Sequence, residues 1–238
     1  METADVISLT GDELTAIAHG LGAEAFPGVR SSCFDAAGPE LRTTLAHGFL
    51  MSLVARGLLA PDADGVLHPS EELAVLIGTV ASHRVHLSVE QRMPETHPGS
   101  ILRWEIMTAR AGVVRHLVDD PIHLFVIDPA GTDPASVVAD LVDHSAGPGA
   151  PGRGWRHGRR SRLDEIVPAP GGGWRRVTRL TRADADGRAR IDGFLEILDG
   201  GPGQLWLVHD DTADETLVAV PVSASEVDAA LRAAVAAP

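Results

Sequence analysis

Hydrophobic residues recur at helical spacing in the first third of the chain and alternate with polar ones in much of the rest. Val6–Leu9 alternates as a short strand, and Thr10-Gly11-Asp12 then supplies N-cap chemistry to a helix with Leu14, Ile17, Ala18 and Leu21 as its apolar set. Gly20 or Gly22 ends it. Pro39 precedes a second helix predicted over 41–54, with Leu41, Leu45, Phe49 and Val54 near helical period and Arg56-Gly57-Leu58-Leu59 closing it. After a turn at Pro61–Gly65, Pro69-Ser70-Glu71-Glu72 opens a third helix carrying Leu73, Leu76, Ile77 and Val80.

From residue 85 the chain states one pattern twice, strands followed by a helix. The first copy has Val85–Val89, Ile101–Arg110, Gly112–His116 and Pro121–Asp128 as strands. Asp133-Pro134 then caps a helix whose Val137, Val138, Leu141 and Val142 face inward. The second has Trp174–Thr181, Ile191–Leu198, Gln204–His209 and Thr216–Val222, with turns at Ala185–Gly187 and Asp199–Gly203. Ser223–Glu226 caps its helix, which carries Val227, Leu231 and Val235. Short connections imply antiparallel pairing. The expected fold is therefore α+β, a single domain over 1–238 with N-terminal helices. It is built from two pseudo-repeated antiparallel sheet-plus-helix halves, about 1–144 and 174–238, in a quasi-two-fold arrangement. Ser145–Gly173, rich in Gly, Pro and Arg and lacking either period, reads as a loop joining them.

Composition narrows the function. A chain of 238 residues with 44% hydrophobic content builds a substantial core without staples. Cys33 is the single cysteine, so an intramolecular disulfide and a Cys-rich metal cluster are excluded, which fits a reducing compartment. A leader-like start and an apolar run of membrane length are both absent from the sequence, and the expected location is the cytoplasm. All 20 basic residues are arginine, and lysine, asparagine and tyrosine are missing, a bias that points to a high-GC source such as an actinobacterium. The net charge of −13 argues against general affinity for nucleic acid.

Candidate chemistry is thin. His83, His86 and His97 do not make a metal set, since strand residues three apart point to opposite faces. His116, His123 and His144 read as surface or rim histidines. His209-Asp210-Asp211 places an imidazole beside two carboxylates, yet a solvated acidic hairpin tip accounts for it. Ser31, Ser32 and Cys33 have neither a nucleophile elbow nor a base and read as loop. The glycine-rich stretches 147–154 and 171–173 carry neither G-K-[ST] nor G-x-G-x-x-G after a strand, so nucleotide binding is not expected. The basic patch is Arg153, Arg156, Arg159, Arg160 and Arg162 with Trp155 among them, a pattern that can grip nucleic acid or an acidic protein; in so acidic a chain it reads as a flexible loop that balances local acids or contacts a partner. Residues 40–68 resemble part of a winged helix. A DNA-reading helix needs basic residues near its start, and these helices begin with Glu40 and with Glu71-Glu72.

Three stretches resemble the EspG family, the cytosolic chaperones of actinobacterial type VII secretion. They are Ile7–Leu14 through Pro27, then Leu53–Leu59 with Leu67-His68-Pro69 and the helix after it, and the two strand-rich halves each closed by a helix. The resemblance spans most of the chain. It implies a quasi-two-fold α+β fold that binds the apolar tip of a secreted PE/PPE-type helical heterodimer, or a similar small helical protein, and keeps it soluble until export. It implies no catalysis, cofactor or metal. By position, the partner loop would be Met93–Gly99, with Met93 meeting an apolar tip, Glu95 a basic rim, and His97 beside them, while Arg153, Trp155, Arg156, Arg159 and Arg160 form the second partner-binding candidate. The sequence ends soon after its last helix, Ser225–Ala237, so the C-terminal helical region of that family would be reduced here. A winged-helix-like DNA-binding regulator, or an enzyme whose pocket assembles only in space, are the alternative expectations.

Overall fold

A computed structural model describes residues 5–21, 26, 29, 31–92, 101–119, 121–141, 156–159, 176–183, 189–200, 204–211 and 216–236. The protein is α+β, combining helices with extensive antiparallel sheet and a separate two-stranded sheet. It divides into two compact units, one of residues 1–84 with 104–131 and the other of 85–103 with 132–238. Among the described residues, no helix is long and apolar enough to cross a membrane.

The first unit opens with β1 (Asp5–Thr10) running straight into α1 (Gly11–Gly20). Thr10 is the N-cap, its hydroxyl accepting from the Glu13 amide at 3.1 Å while the Glu13 carboxylate accepts from the Thr10 amide at 2.9 Å. Leu14, Ile17 and Ala18 face inward as their spacing predicts, whereas Leu21, at the C-cap, is exposed. Ser31 caps a short helix, α2 (Ser32–Ala36), where the sequence pattern gave only a loop.

The long helix α3 (Pro39–Ala55) ends in a Schellman arrangement, with Leu58 N donating to Leu53 O and Gly57 N to Val54 O, both at 3.0 Å. Gly57 takes φ +74°, the left-handed conformation this ending needs. The inward stripe of α3 is broader than the expected one: Leu45, Phe49 and Val54 pack against the core clusters as predicted, but the most buried positions are others. Ala46 and Leu53 are buried and Leu50 packs beside them, while Leu41 is 54% exposed. A helix with apolar side chains all round has no single phase to read.

A hairpin of β2 (Leu59–Pro61) and β3 (Leu67–Pro69) follows, and α4 (Glu71–Ser82) starts from the Ser70 cap. The register predicted for α4 holds, with Leu73 and Leu76 buried. Strands β5 (Ile101–Ala109), β6 (Gly112–Val118) and β7 (Ile122–Asp128) then form a meander, and β1 adds antiparallel to its last strand in the order β5-β6-β7-β1. Ile7, Leu9, Met107, Val114, Phe125 and Ile127 from this sheet pack on Leu14 and Ile17 of α1, Leu53 of α3, and Leu73 and Leu76 of α4.

The second unit holds β4 (Val85–Arg92), α5 (Pro134–Leu141), β8 (Arg156–Arg159), β9 (Arg176–Ala183), β10 (Ala189–Asp199), β11 (Leu205–Asp211), β12 (Thr216–Pro221) and α6 (Ala224–Ala236). Its strand order is β4-β9-β10-β11-β12-β8 with antiparallel pairs. Residues 156–159, within the stretch read as a loop, thus form a strand on β12, a pairing too short and too charged to show in the hydrophobic pattern. Both units follow one rule: a strand that precedes a meander pairs antiparallel with the meander's last strand, β1 with β7 and β8 with β12. Leu198, Val208, Leu217 and Ala219 form a core cluster here. The helices α5 and α6 pack together, and Gln91 of β4 donates to the last carbonyl of α5, Leu141 O, at 2.7 Å.

Gly112 makes the closest backbone approach in the first unit. It has φ +155°, and a Cβ there would lie 2.6 Å from the backbone oxygen of Asp128. Gly112→Ala is expected to lower the free energy of unfolding by about 2–3 kcal/mol, because backbone has to move to admit the methyl. Urea titration of the pure protein checks this.

Candidate functional site

Strand β7 carries apolar residues on both sides. His123, Phe125 and Ile127 alternate toward the helices, and Ile122, Leu124 and Val126 toward the opposite side. A strand of this kind needs cover on both faces. On the side away from α1, α3 and α4, burial falls off along the sheet. Val113 and Asp128 are buried and Leu117 and Val126 half-buried, but Leu124 is 37% exposed, Ile122 51% and Val6 65%. Register places these three together, with Val6 opposite Val126, Ser8 opposite Leu124 and Thr10 opposite Ile122. The result is an apolar contact surface at the β1 side of the sheet. Its one ion pair is internally closed: Arg115 Nε and Nη2 donate to the two Asp128 oxygens, each at 2.8 Å.

The outer edge of β1 is occupied differently. The Ser8 carbonyl accepts from Arg56 Nη2 at 2.5 Å, and the Thr10 amide donates to Glu13 Oε2. Arg56 Nη1 also donates to both Glu13 oxygens at 2.9 Å, and Ser52 Oγ donates to Oε1. Guanidinium and carboxylate thus stand where the donors and acceptors of a neighbouring strand would be. Glu13 is itself buried. Burial alone would raise its pKa, but the Thr10 amide, Arg56 and Ser52 outweigh it and hold the carboxyl below the usual range.

His116 and His123 are buried, not at the surface or rim as expected, because both lie on the core side of the sheet. His116 Nε2 and His123 Nδ1 are 2.9 Å apart, so one ring donates to the other, and His116 stacks on Phe125 with centroids 4.3 Å apart. His83 and His86 do not share a strand as expected. His83 caps α4, its Nδ1 2.7 Å from Val80 O, while His86 belongs to β4. His209, Asp210 and Asp211 lie within β11, opposite Val218, Leu217 and Thr216, rather than at a hairpin tip. Ser31 Oγ donates to Asp12 at 2.5 Å, joining α2 to α1. Among the described residues no cluster of three or more His, Cys, Asp or Glu is disposed to hold a metal.

Of the expected partner residues, Met93, Glu95, His97, Arg153, Trp155 and Arg160 lie outside the described residues, as does His144. Arg156 and Arg159 sit in β8, opposite Ala219 and Thr216. Val6, Ile122 and Leu124 were not singled out in the sequence. Their signal was the alternation of β7, in which Ile122, Leu124 and Val126 make a second apolar side opposite the core, and two of the three are exposed. No protein-family model matches the sequence, and no curated protein matches it either.

Loss of the Glu13 carboxylate is expected to cost about 1–3 kcal/mol in Glu13→Gln, since the buried hydrogen bonds it accepts are then imperfectly met. The folded pKa is depressed, so this contribution is present above about pH 4.5 and is lost as pH falls through the lower folded value. Thermal unfolding from pH 7 to pH 3 checks it: the wild type should lose its advantage over Glu13→Gln at the acid end.

Proposed function

We propose that this chain is a cytosolic chaperone or adaptor that binds a helical client, in the manner its resemblance to the type VII secretion chaperones implies. The carrying observation is an exposed apolar sheet face, Val6, Leu124 and Ile122, beside an edge at which the Ser8 carbonyl and the Thr10 amide are already taken. Strand addition needs free backbone groups along an edge, and at Ser8 and Thr10 these are taken by Arg56 and Glu13. A partner therefore meets the sheet through side chains, which an amphipathic helix does by laying its apolar stripe on Val6, Leu124 and Ile122. Non-enzymatic action fits the same face, whose side chains are apolar or hydroxylic around a closed ion pair.

The winged-helix alternative finds a helix α3 followed by the β2–β3 hairpin, but its basic groups are committed elsewhere. Arg42 Nε donates to the carbonyls of Phe34 and Ala37, Arg56 is bound to Glu13, and the hairpin turn bears Asp62 and Asp64. Phosphate contacts would have to come from other residues.

The test is affinity capture from the native lysate at moderate and high salt, with mass spectrometry of the eluate, using the wild type and Val6→Asp. A small helical secreted protein in stoichiometric yield, lost in Val6→Asp at unchanged melting temperature, supports the reading. Salt-labile nucleic acid in place of a protein would overturn it.

A further inference from the structure

Two titratable rings meet inside the first unit. His116 and His123, 1% and 0% exposed, lie on the core side of the neighbouring strands β6 and β7, with His116 Nε2 2.9 Å from His123 Nδ1 and the His116 ring stacked on Phe125. A bond of this kind holds one proton between two nitrogens, donated by one ring and accepted by the other. Two imidazolium rings would set N–H against N–H and bring two positive charges into contact. The closed pair therefore takes at most one proton beyond its neutral state, whereas in the unfolded chain each ring takes its own.

The surroundings offer little to offset a second charge. On β5, the strand beside β6, Glu105 shares the side of Met107 and is 1% exposed, and Arg103 is half-buried on that side. On β1, Leu9 lies opposite His123 and Ile7 opposite Phe125, while Asp5 is exposed at the start of the strand. Helix α4 buries Leu73, Leu76 and Thr79; its Glu71 and Glu72 are exposed, and His83 is bonded to Val80 at its end. In α1, Glu13 is bonded to Arg56 and Asp12 to Ser31, and His19 is exposed, as are Glu40, Arg42 and His47 of α3. Arg115 and Asp128 are bound to each other on the other side of the sheet, and Asp119 is exposed in the turn. Among the described residues, Glu105 is thus the one buried carboxylate on this side of the first unit's sheet, and it can offset one positive charge, not two.

We infer that the His116–His123 pair is an acid-sensitive latch: acidification below the ordinary imidazole range, about pH 6.5, opens the sheet at β6 and β7. Ile122 and Leu124 flank His123 on the other side of β7, so the exposed apolar face goes with it. Whatever that face binds, the latch acts on the sheet itself. The closed form holds at least one proton fewer than the open form, so its stability is fully present above the imidazole range and the opening equilibrium grows about tenfold per pH unit below it. Glu13 acts in a separate window, since its carboxyl is held below the usual range and its contribution is lost only at lower pH.

Hydrogen exchange of the whole chain, followed peptide by peptide at pH 7.5, 6.5 and 5.5 and corrected for the intrinsic pH dependence of exchange, reads the opening. Protection of residues 112–128 should fall about tenfold between pH 6.5 and 5.5, with β10 of the second unit changing less. His116→Phe combined with His123→Leu replaces both rings by apolar groups and should remove the fall. His86→Leu, at a buried histidine of β4 in the second unit, should keep it. Unchanged protection of 112–128 in the wild type, an equal loss in β10, or a wild-type pH dependence in the double variant would overturn the latch. Ring carbon shifts of the wild type need no variant to fold: both rings as imidazolium in the closed form at pH 5.5 would overturn it as well.

Discussion

A carboxylate out of water must be surrounded by donors, and Glu13 draws its three donors from two other elements. The Thr10 amide comes from the end of β1, Ser52 from α3, and Arg56 from the cap of α3, while Glu13 itself lies in the first turn of α1. Each is useful only if the other two are in place. One side chain thereby fixes the angle at which the strand turns into its helix and the height at which α3 crosses it. The apolar packing of Leu14, Ile17 and Leu53 beneath it is strong but non-directional, and would tolerate small slides. The polar cluster does not.

That arrangement also decides what kind of surface β1 presents. Edge strands invite pairing, and among the described residues β1 and β8 deal with it by different means. β8 is four residues long and carries two arginines, a short and charged edge. β1 is longer and more apolar, and its outward backbone groups at Ser8 and Thr10 are filled by side chains from α3 and α1. On the side of the sheet away from the helices, Val6, Leu124 and Ile122 stay exposed beside that edge. Edge and face are thus set by the same few residues.

Much of the fold was written locally and so was legible. Thr10 with Glu13, Ser70, Asp133 and Ser223 with Glu226 mark helix starts by short-range hydrogen bonding, and Gly57 marks an end by its left-handed backbone. What escaped depends on residues distant in sequence. The buried stripe of α3 is set by α1 and α2, so Leu41 looked as suitable as Leu53. His116 and His123 scan as polar, and only their mutual hydrogen bond and the stack on Phe125 make a core position acceptable. β8 exists because β12 lies beside it. The candidate site was half legible. Its apolar residues stand in plain alternation, but that a face has been left uncovered is a fact of the assembled sheet.

The pairing of β1 with β7 joins residues on the order of 120 apart, since Asp5 lies opposite Ile127. As the chain emerges from the ribosome, β1 has no partner until the meander that receives it has been made. Helix α1, which follows β1 without a break and depends on the same sheet for its cover, waits with it. The first unit can therefore close only after most of its residues have been synthesised, and its N-terminal strand and helix are made first but sheltered late. Any factor that attends the nascent chain has that interval in which to act.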